Sequence, residues 1–269
     1  MSKIEKYYVI GNPIAHSKSP QIHEAFARQI NKQIQYDKVL VSRGELKNFL
    51  QENKNSVKGI NVTVPLKEEA WDACDFLTDR AKKARAVNTL WKEQDKWFGD
   101  NTDGVGFVKD LNDNLAFSAD NKNILFIGSG GAVKGVLDPL IDCLPRSIYI
   151  YSRNIEKAKK IVSNAGDKRV LMYKKTNSNA VKFDLIINST PTSLYGEIPQ
   201  MPDIEFDKNA IFYDMSYGSE PTPFQEYGIS KGCHSVDGLG MLVEQAGFSF
   251  FQWHGKHPET REVLDKLRL

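Results

Sequence analysis

The chain has 269 residues, 41% of them hydrophobic and 26% charged, with a formal net charge of +2. That length accommodates one large domain or two of ordinary size with full cores. The near-neutral balance, without long acidic or basic runs, argues against a nucleic-acid partner, and no apolar run approaches membrane-spanning length.

Three cysteines, Cys74, Cys143 and Cys233, lie far apart in the chain. They form neither a metal pattern nor a disulfide framework, so a reducing cytoplasm is expected. The first residues, "MSKIEKYYVIGNP", hold only a short apolar stretch and read as a first strand, not a signal peptide.

In chain order, "KYYVI" (6–10) is a strand and "PQIHEAFARQI" (20–30) a helix, with Ile22, Ala25, Phe26 and Ile30 on one face. "YDKVLV" (36–41), "GELKNFLQEN" (44–53) and "GINVTV" (59–64) follow as strand, helix and strand. "PLKEEAWDACDFL" (65–77) reads as a helix with proline in its opening turn. This alternation predicts parallel strands joined by helices. Residues 89–100, "TLWKEQDKWFGD", read as a hairpin turning near Gln94 and Asp95, which brings Asn88 and Asp103 to the same open end.

A second α/β series begins at "NILFI" (123–127). Its further strands are "IYIY" (148–151), "VLMY" (170–173), "DLIIN" (184–188), "AIFYD" (210–214) and "CHSV" (233–236), with helices at 131–143 and 155–165. The fold class is therefore α/β with two α/β domains. Residues 1–104 form the first, 105–237 the second, and 238–269 are helices. In those helices Leu242, Val243, Ala246, Phe250 and Trp253 make an apolar stripe expected to pack back on the first domain.

Gly128, Gly130 and Gly131 in "NILFIGSGGAVKG" stand between a strand and a helix, the context of a dinucleotide site. Val133 takes the place of the third glycine of the usual fingerprint; the competing reading is a glycine turn that binds nothing. The next strand ends in "YSRN" (151–154), with Arg153 and then Lys157 where an NAD-binding protein usually carries a carboxylate. Two cations there suit the 2′-phosphate of NADP; the plain alternative is solvated surface charge.

In "HSKSP" (16–20), Ser19 is expected to cap the following helix, with Pro20 at its first position. The sharper reading is that Ser17 and Ser19 grip a carboxylate. Lys67 falls in the first turn of a helix; the plain reading is a solvated lysine, against which stands the helix dipole, which disfavours a cation there. Asp103 in "DNTDG" is either a turn aspartate or its partner. Gly238, Met241 and Gln245 share one helical face.

Together, "GNPIAHSKSP", "NVTVPLK", "AVNTL", "DNTDG", "GSGGA", "DMSY" and "DGLGMLVEQA" resemble the signatures of the shikimate dehydrogenase family, in that family's order, from about residue 8 to residue 254. The resemblance implies a substrate domain and an NADP-binding Rossmann domain around a cleft, and reversible reduction of 3-dehydroshikimate to shikimate by NADPH. By motif, Ser17 and Ser19 hold the substrate carboxylate. Thr63, Lys67, Asn88, Asp103, Tyr217 and Gln245 meet the rest of the substrate, with Lys67 as acid/base residue oriented by Asp103.

Gly128, Ser129, Gly130, Gly131, Ala132, Ser152, Arg153, Asn154, Lys157, Met215, Gly238 and Met241 line the cofactor, and Asp79 matches a further position assigned to it. The clamp reads "SRN" where "NRT" is common in the family, and the glycine loop has Ser129 and Val133 where alanine and serine or alanine are common. The resemblance further implies a cytoplasmic biosynthetic enzyme, monomeric or homodimeric, with a small-molecule substrate. A quinate/shikimate dehydrogenase of broader range and a non-enzymatic NADP-sensing protein on the same fold are the alternatives.

Overall fold

Two runs of strand-helix alternation build two sheets. The computed structural model describes residues 4–174 and 181–269. It divides into one unit of residues 1–107 with 242–269 and another of residues 108–241. Both divisions fall inside helices, a few residues beyond the sequence-based limits at 104 and 237.

The first unit carries a six-stranded sheet in the order β2-β1-β3-β5-β6-β4. Strands β1 (Glu5–Gly11), β2 (Ile34–Leu40) and β3 (Val57–Val62) are parallel, with helices α1 (Ser19–Gln29) and α2 (Leu46–Asn53) as their crossovers. β5 (Thr89–Glu93) pairs antiparallel to β3 and to β6 (Lys96–Asp100), so the sheet is mixed rather than purely parallel. The β5–β6 turn falls at Gln94 and Asp95, both at positive φ (46° and 64°), which suits the right-handed strand twist.

Helix α3 spans Lys67–Ala73, and the chain then extends into β4 (Phe76–Leu77) instead of remaining helical to residue 77. The cause is tertiary. Phe76 and Leu77 pair with Phe98 and Gly99 of β6, and the Asp75 carboxylate accepts the Trp97 N–H at 2.9 Å. Helix α4 (Asp79–Ala84) follows, capped by Thr78, whose hydroxyl accepts the Ala81 N–H.

Helices α5 (Asp103–Lys109) and α9 (Leu239–His254) span the divisions, and α10 (Thr260–Arg268) ends the first unit. On α9, Val243, Ala246 and Phe250 are fully buried. Trp253 lies against β3 because Gly59 carries no side chain: a Cβ there would run into the indole ring. Its indole N–H donates to the Leu90 carbonyl at 3.1 Å. Ile10, Ile60, Val62, Leu66 and Leu90 centre the core on one side of the sheet, and Tyr7, Val9 and Tyr36 pack with Trp253 in a separate aromatic group.

The second unit is an all-parallel sheet in the order β12-β11-β10-β7-β8-β9. Its strands are β7 (Asn123–Ile127), β8 (Ser147–Tyr151), β9 (Val170–Met172), β10 (Lys182–Asn188), β11 (Glu205–Asp214) and β12 (His234–Val236). Renumbered within the unit this is 3-2-1-4-5-6, the doubly wound dinucleotide-binding order, whose ligand crevice lies where the strand order reverses, at β7 and β10. Both those strands are almost wholly buried, as a sheet covered on both faces requires. Helices α6 (Gly131–Asp142), α7 (Ile155–Ala165) and α8 (Pro223–Ser230) join the strands. α8 carries a complete Thr222–Gln225 capping box.

Candidate active site

Of the first unit's polar residues, Lys67 and Asp103 are brought into direct contact. Lys67 opens α3, and its backbone carbonyl accepts the Val87 N–H at 2.9 Å, which holds the segment leading to Asn88 alongside. The hairpin then does what its register demands: Thr89 pairs with Asp100, and Asn88 N–H donates to the Asp100 carbonyl at 3.0 Å.

Three residues beyond Asp100 the chain turns into α5, whose first residue is Asp103, positioned by its N–H on Asn101 Oδ1 at 3.1 Å. Lys67 Nζ donates to Asp103 Oδ2 at 2.6 Å, and Asn88 Nδ2 donates to Asp103 Oδ1 at 2.7 Å. Both oxygens of one carboxylate are thus held by named donors. The lysine side chain is 27% exposed and the aspartate 11%, so the pair is sheltered yet reachable.

Gln245 on α9 joins this group, its Oε1 accepting from Asn88 Nδ2 at 3.1 Å while its own amide donates to the Leu242 carbonyl at 2.9 Å. Thr63 follows β3, with its N–H on the Ile10 carbonyl and its carbonyl accepting the Leu66 N–H, each at 2.9 Å.

The two serines are placed differently from the capping expectation. Helix α1 begins at Ser19 itself; Lys18 is the cap residue and supplies no side-chain bond. Ser17 Oγ accepts the Ser19 N–H at 3.3 Å and donates to Ser19 Oγ at 3.1 Å. Both are buried. With the hydroxyl of Ser17 serving the first helical N–H, that of Ser19 is released from capping. Asp79, by contrast, is a highly exposed opening residue of α4, paired with Lys82 at 3.2 Å.

The remaining predicted residues belong to the second unit, Tyr217 and Met241 included. Gly128 follows β7 at φ +121°, where an L side chain is strained, and a Cβ there would meet Ser189 Oγ at 2.5 Å. Gly130 and Gly131 are different: a Cβ at Gly131 would meet nothing within 4 Å, and one at Gly130 only the Ser189 carbonyl at 4.0 Å.

That open space lies at the start of the twelve-residue helix α6, whose cap residue, Gly130, offers no side chain to the first-turn N–H groups, and no acidic residue occupies the first turn. Unsatisfied donors and a positive dipole end over a bare backbone fit a pyrophosphate. Ala132 continues the turn, and Val133 in place of the third glycine is fully buried in the unit's core.

At the end of β8, Ser152 Oγ and Ser129 Oγ lie 2.8 Å apart, tying this strand tip to the glycine loop. Asn154 caps α7, its Oδ1 accepting the Lys157 N–H at 2.9 Å. Arg153 and Lys157 are exposed, and neither pairs with a carboxylate among the described residues. The one acid in the first turn of α7, Glu156, is paired with Lys159 at 2.9 Å, which leaves Arg153 and Lys157 as the unpaired charges of this tip.

Met215 and Gly238 lie together. The Gly238 N–H donates to the Ser216 carbonyl at 2.9 Å, and a Cβ on Gly238 would collide with the Met215 carbonyl. The sequence reading missed what organises this corner: buried Asp214, which accepts from the Ser216 N–H at 2.9 Å and the Thr222 hydroxyl at 2.7 Å, and also from Ser193. It missed Thr102 as well, whose N–H donates to Asn88 Oδ1 at 2.9 Å, though the residue stands inside the quoted "DNTDG". No cluster of His, Cys, Asp and Glu suited to a metal occurs among the described residues.

Three family models match the chain in order. They are the shikimate dehydrogenase substrate binding domain over residues 9–90, shikimate / quinate 5-dehydrogenase over 110–200, and the shikimate 5′-dehydrogenase C-terminal domain over 238–268. A relative from Alcanivorax borkumensis named shikimate dehydrogenase (NADP(+)) is 42% identical, with 97% of this chain and 96% of that protein aligned.

Among solved structures, the Ael1 enzyme from Pseudomonas putida superposes with a TM-score of 0.90 at 34% identity, covering 98% of each chain. Shikimate dehydrogenase from Aquifex aeolicus gives 0.88 at 31% identity, covering 99% of this chain and 98% of that one. Matched in three successive segments and aligned almost end to end, the chain belongs to the shikimate dehydrogenase family.

Proposed function

We propose that this protein is an NADP-dependent shikimate dehydrogenase, which interconverts 3-dehydroshikimate and shikimate in the route to chorismate and the aromatic amino acids. The observation that carries the mechanism is the 2.6 Å contact between Lys67 Nζ and Asp103 Oδ2. NADPH, when bound, supplies the hydride for the ketone carbon. Lys67 donates a proton to the carbonyl oxygen as charge develops there, and takes it back in the oxidation direction. Asp103 and Asn88 keep the ammonium group in place.

Ser17 and Ser19, buried with hydroxyls 3.1 Å apart, hold the substrate carboxylate. Thr63, Asn88, Gln245 and Tyr217 meet the ring hydroxyls. A polyol ring demands several fixed polar partners, and a substrate lacking one hydroxyl leaves a site group unpaired.

The cofactor is held by the second unit, residues 108–241, as its binding domain, with the first unit as the substrate domain. Gly128, Ser129, Gly130, Gly131 and Ala132 receive the pyrophosphate. Ser152, Arg153, Asn154 and Lys157 face the 2′-phosphate, Met215, Gly238 and Met241 complete this unit's set, and Asp79 is the one cofactor position assigned outside it. Arg153 and Lys157, unpaired because the neighbouring Glu156 is bonded to Lys159, favour NADP over NAD. We place the enzyme in the cytoplasm as a monomer or homodimer; no described helix is long and apolar enough to cross a membrane.

The test is a matrix of shikimate and quinate against NADP and NAD, read by nicotinamide absorbance. The expected result is turnover dominated by shikimate with NADP. Comparable use of quinate with NAD would replace this reading with the broader quinate/shikimate activity, and no turnover with any pair would leave the non-enzymatic one.

A further inference from the structure

Behind the Asn88 amide lie two hydroxyls to which the proposed function gives no part. Thr89 and Ser249 are each 0% exposed. A hydroxyl out of reach of water must find its partners inside the protein, so each bond it makes is accountable. Tyr36 OH donates to Asn61 Oδ1 at 2.7 Å, which turns the Asn61 NH2 toward Ser249 Oγ at 3.0 Å.

Ser249 Oγ lies 2.7 Å from Thr89 Oγ1, closer than its alternative acceptor, the Gln245 carbonyl at 3.1 Å. Thr89 Oγ1 donates to Asn88 Oδ1 at 2.9 Å. A phenol fixes one end of this chain of groups. The other end is fixed by the Thr102 backbone N–H, which can only donate, on Asn88 Oδ1 at 2.9 Å. With the single Thr89 proton spent on Asn88, the 2.7 Å contact takes its proton from Ser249, and the bonds run from Asn61 through Ser249 and Thr89 to the Asn88 carbonyl.

We propose that Thr89, backed by Ser249, is a positioning residue for the reaction. Together with the Thr102 N–H, it holds the Asn88 amide in the orientation that presents NH2 to Asp103 Oδ1 while Lys67 occupies Oδ2. This rests on the dehydrogenase reading above.

The two ends of an asparagine amide have nearly the same shape, so packing alone does not choose between them. Hydrogen bonding does. Turned over, Asn88 would set its carbonyl oxygen against the carboxylate and drive Asp103 off its alignment with Lys67. Small misplacements of a proton donor are expensive in rate. Thr89 acts three hydrogen bonds removed from Lys67, so its loss affects the chemical step more than the capture of substrate.

The test compares Thr89→Val, which deletes the hydroxyl in nearly the same shape, with Thr89→Ser, which keeps it. Thr89→Val is expected to lower kcat roughly tenfold while the KM values for shikimate and NADP change less than about threefold. In the ligand-free enzyme the Asn88 side-chain amide proton resonances should broaden or double. Thr89→Ser should restore both kcat and the single pair of resonances.

Wild-type kcat in Thr89→Val, or unaltered Asn88 resonances, overturns the proposal. So does a loss that Thr89→Ser fails to rescue, since the methyl group would then be the cause. Should Thr89→Val not fold, Ser249→Ala supplies the same two readouts. A wild-type protein inactive on shikimate would defeat the dehydrogenase reading instead, and the ligand-free resonances would still decide whether Thr89 orients Asn88.

Discussion

Lys67 Nζ and Asp103 Oδ2 meet at 2.6 Å from the first residues of two different helices, α3 and α5. The helix dipole favours the aspartate at such a position and disfavours the lysine. The lysine is therefore held at the α3 terminus by its carboxylate partner, against the preference of its own helix. A residue placed at local cost, beside a carboxylate gripped by a second donor, is arranged for chemistry more than for stability.

Lys67→Ala should accordingly lower kcat by about two to four orders of magnitude, the usual contribution of a positioned acid/base group. The KM for shikimate should change only a few-fold. Steady-state kinetics in the shikimate-oxidising direction checks this, and a loss confined to KM would reassign Lys67 to binding.

The sequence made the meeting of Asn88 and Asp103 visible for a local reason and hid its support for a non-local one. Hairpin register is set by turn chemistry and period-two alternation, so Asn88 and Asp103 could be matched from the turn at Gln94 and Asp95 alone. Strand β7 and helix α7 were equally legible, the strand as a short continuous apolar run before a glycine turn and the helix from its own period and cap. The end of α3 was not: the 65–77 stretch continues an apolar helical pattern, and only the ladder of Phe76 and Leu77 with β6 stops it. Asn61 and Ser249 stand 188 residues apart, and no local signal joins them. Helix α8 was overlooked although Thr222 and Gln225 carry a capping signature.

Ser19 is released from capping by the actual start of α1, and Ser17 serves the helix through one long bond of 3.3 Å, so their joint removal tests substrate capture with little effect on the helix. Ser17→Ala with Ser19→Ala should raise the KM for shikimate about tenfold or more, the scale of two hydrogen bonds to a charged group. The melting temperature should move little. An unchanged KM would return these hydroxyls to a purely structural role.

Arg153 stands exposed at the tip following β8 and pairs with no carboxylate among the described residues. Arg153→Asp places a like charge where the 2′-phosphate is expected, and so should reverse the preference between NADP and NAD. The measurement is kcat/KM for each cofactor with saturating shikimate. Equal changes for both would remove Arg153 from the clamp.

His23 is fully buried, stacked on Tyr36 at 4.6 Å and 11°, with no hydrogen bond to either ring nitrogen. Burial, reinforced by His254, lowers its pKa to about 3; burial, reinforced by Lys32, lowers that of His254 to about 4. Both folded values lie below the unfolded value near 6.5, so the unfolded chain binds more protons between those limits.

Stability is then fully expressed above about pH 6.5 and falls as the pH drops toward 4. The slope is at most about 1.4 kcal/mol per pH unit from His23, and less from the partly solvated His254. Melting temperatures between pH 7 and pH 5 measure the slope. His23→Phe should flatten it, because the ring stack survives and the titrating group is gone.

Gly106 sets how closely α5 approaches α9. A Cβ at that position would meet the Gln245 backbone nitrogen at 2.5 Å and its Cα at 2.7 Å. Alanine is the better helix former by about 1 kcal/mol, so an unobstructed Gly106→Ala would stabilise α5. The obstacle here is backbone, which cannot swing aside as a side chain can. Overpacking of this kind costs about 1–3 kcal/mol and exceeds the helical gain.

The displacement falls on the stretch of α9 that carries Gln245 and Ser249, both bonded into the Asn88 group. Gly106→Ala should therefore lower the melting temperature and kcat together, unlike Lys67→Ala, which should leave the melting temperature nearly unchanged. Thermal unfolding and steady-state kinetics on the two variants test the contrast, and a fully active, stabilised Gly106→Ala enzyme would show that α9 is free to yield.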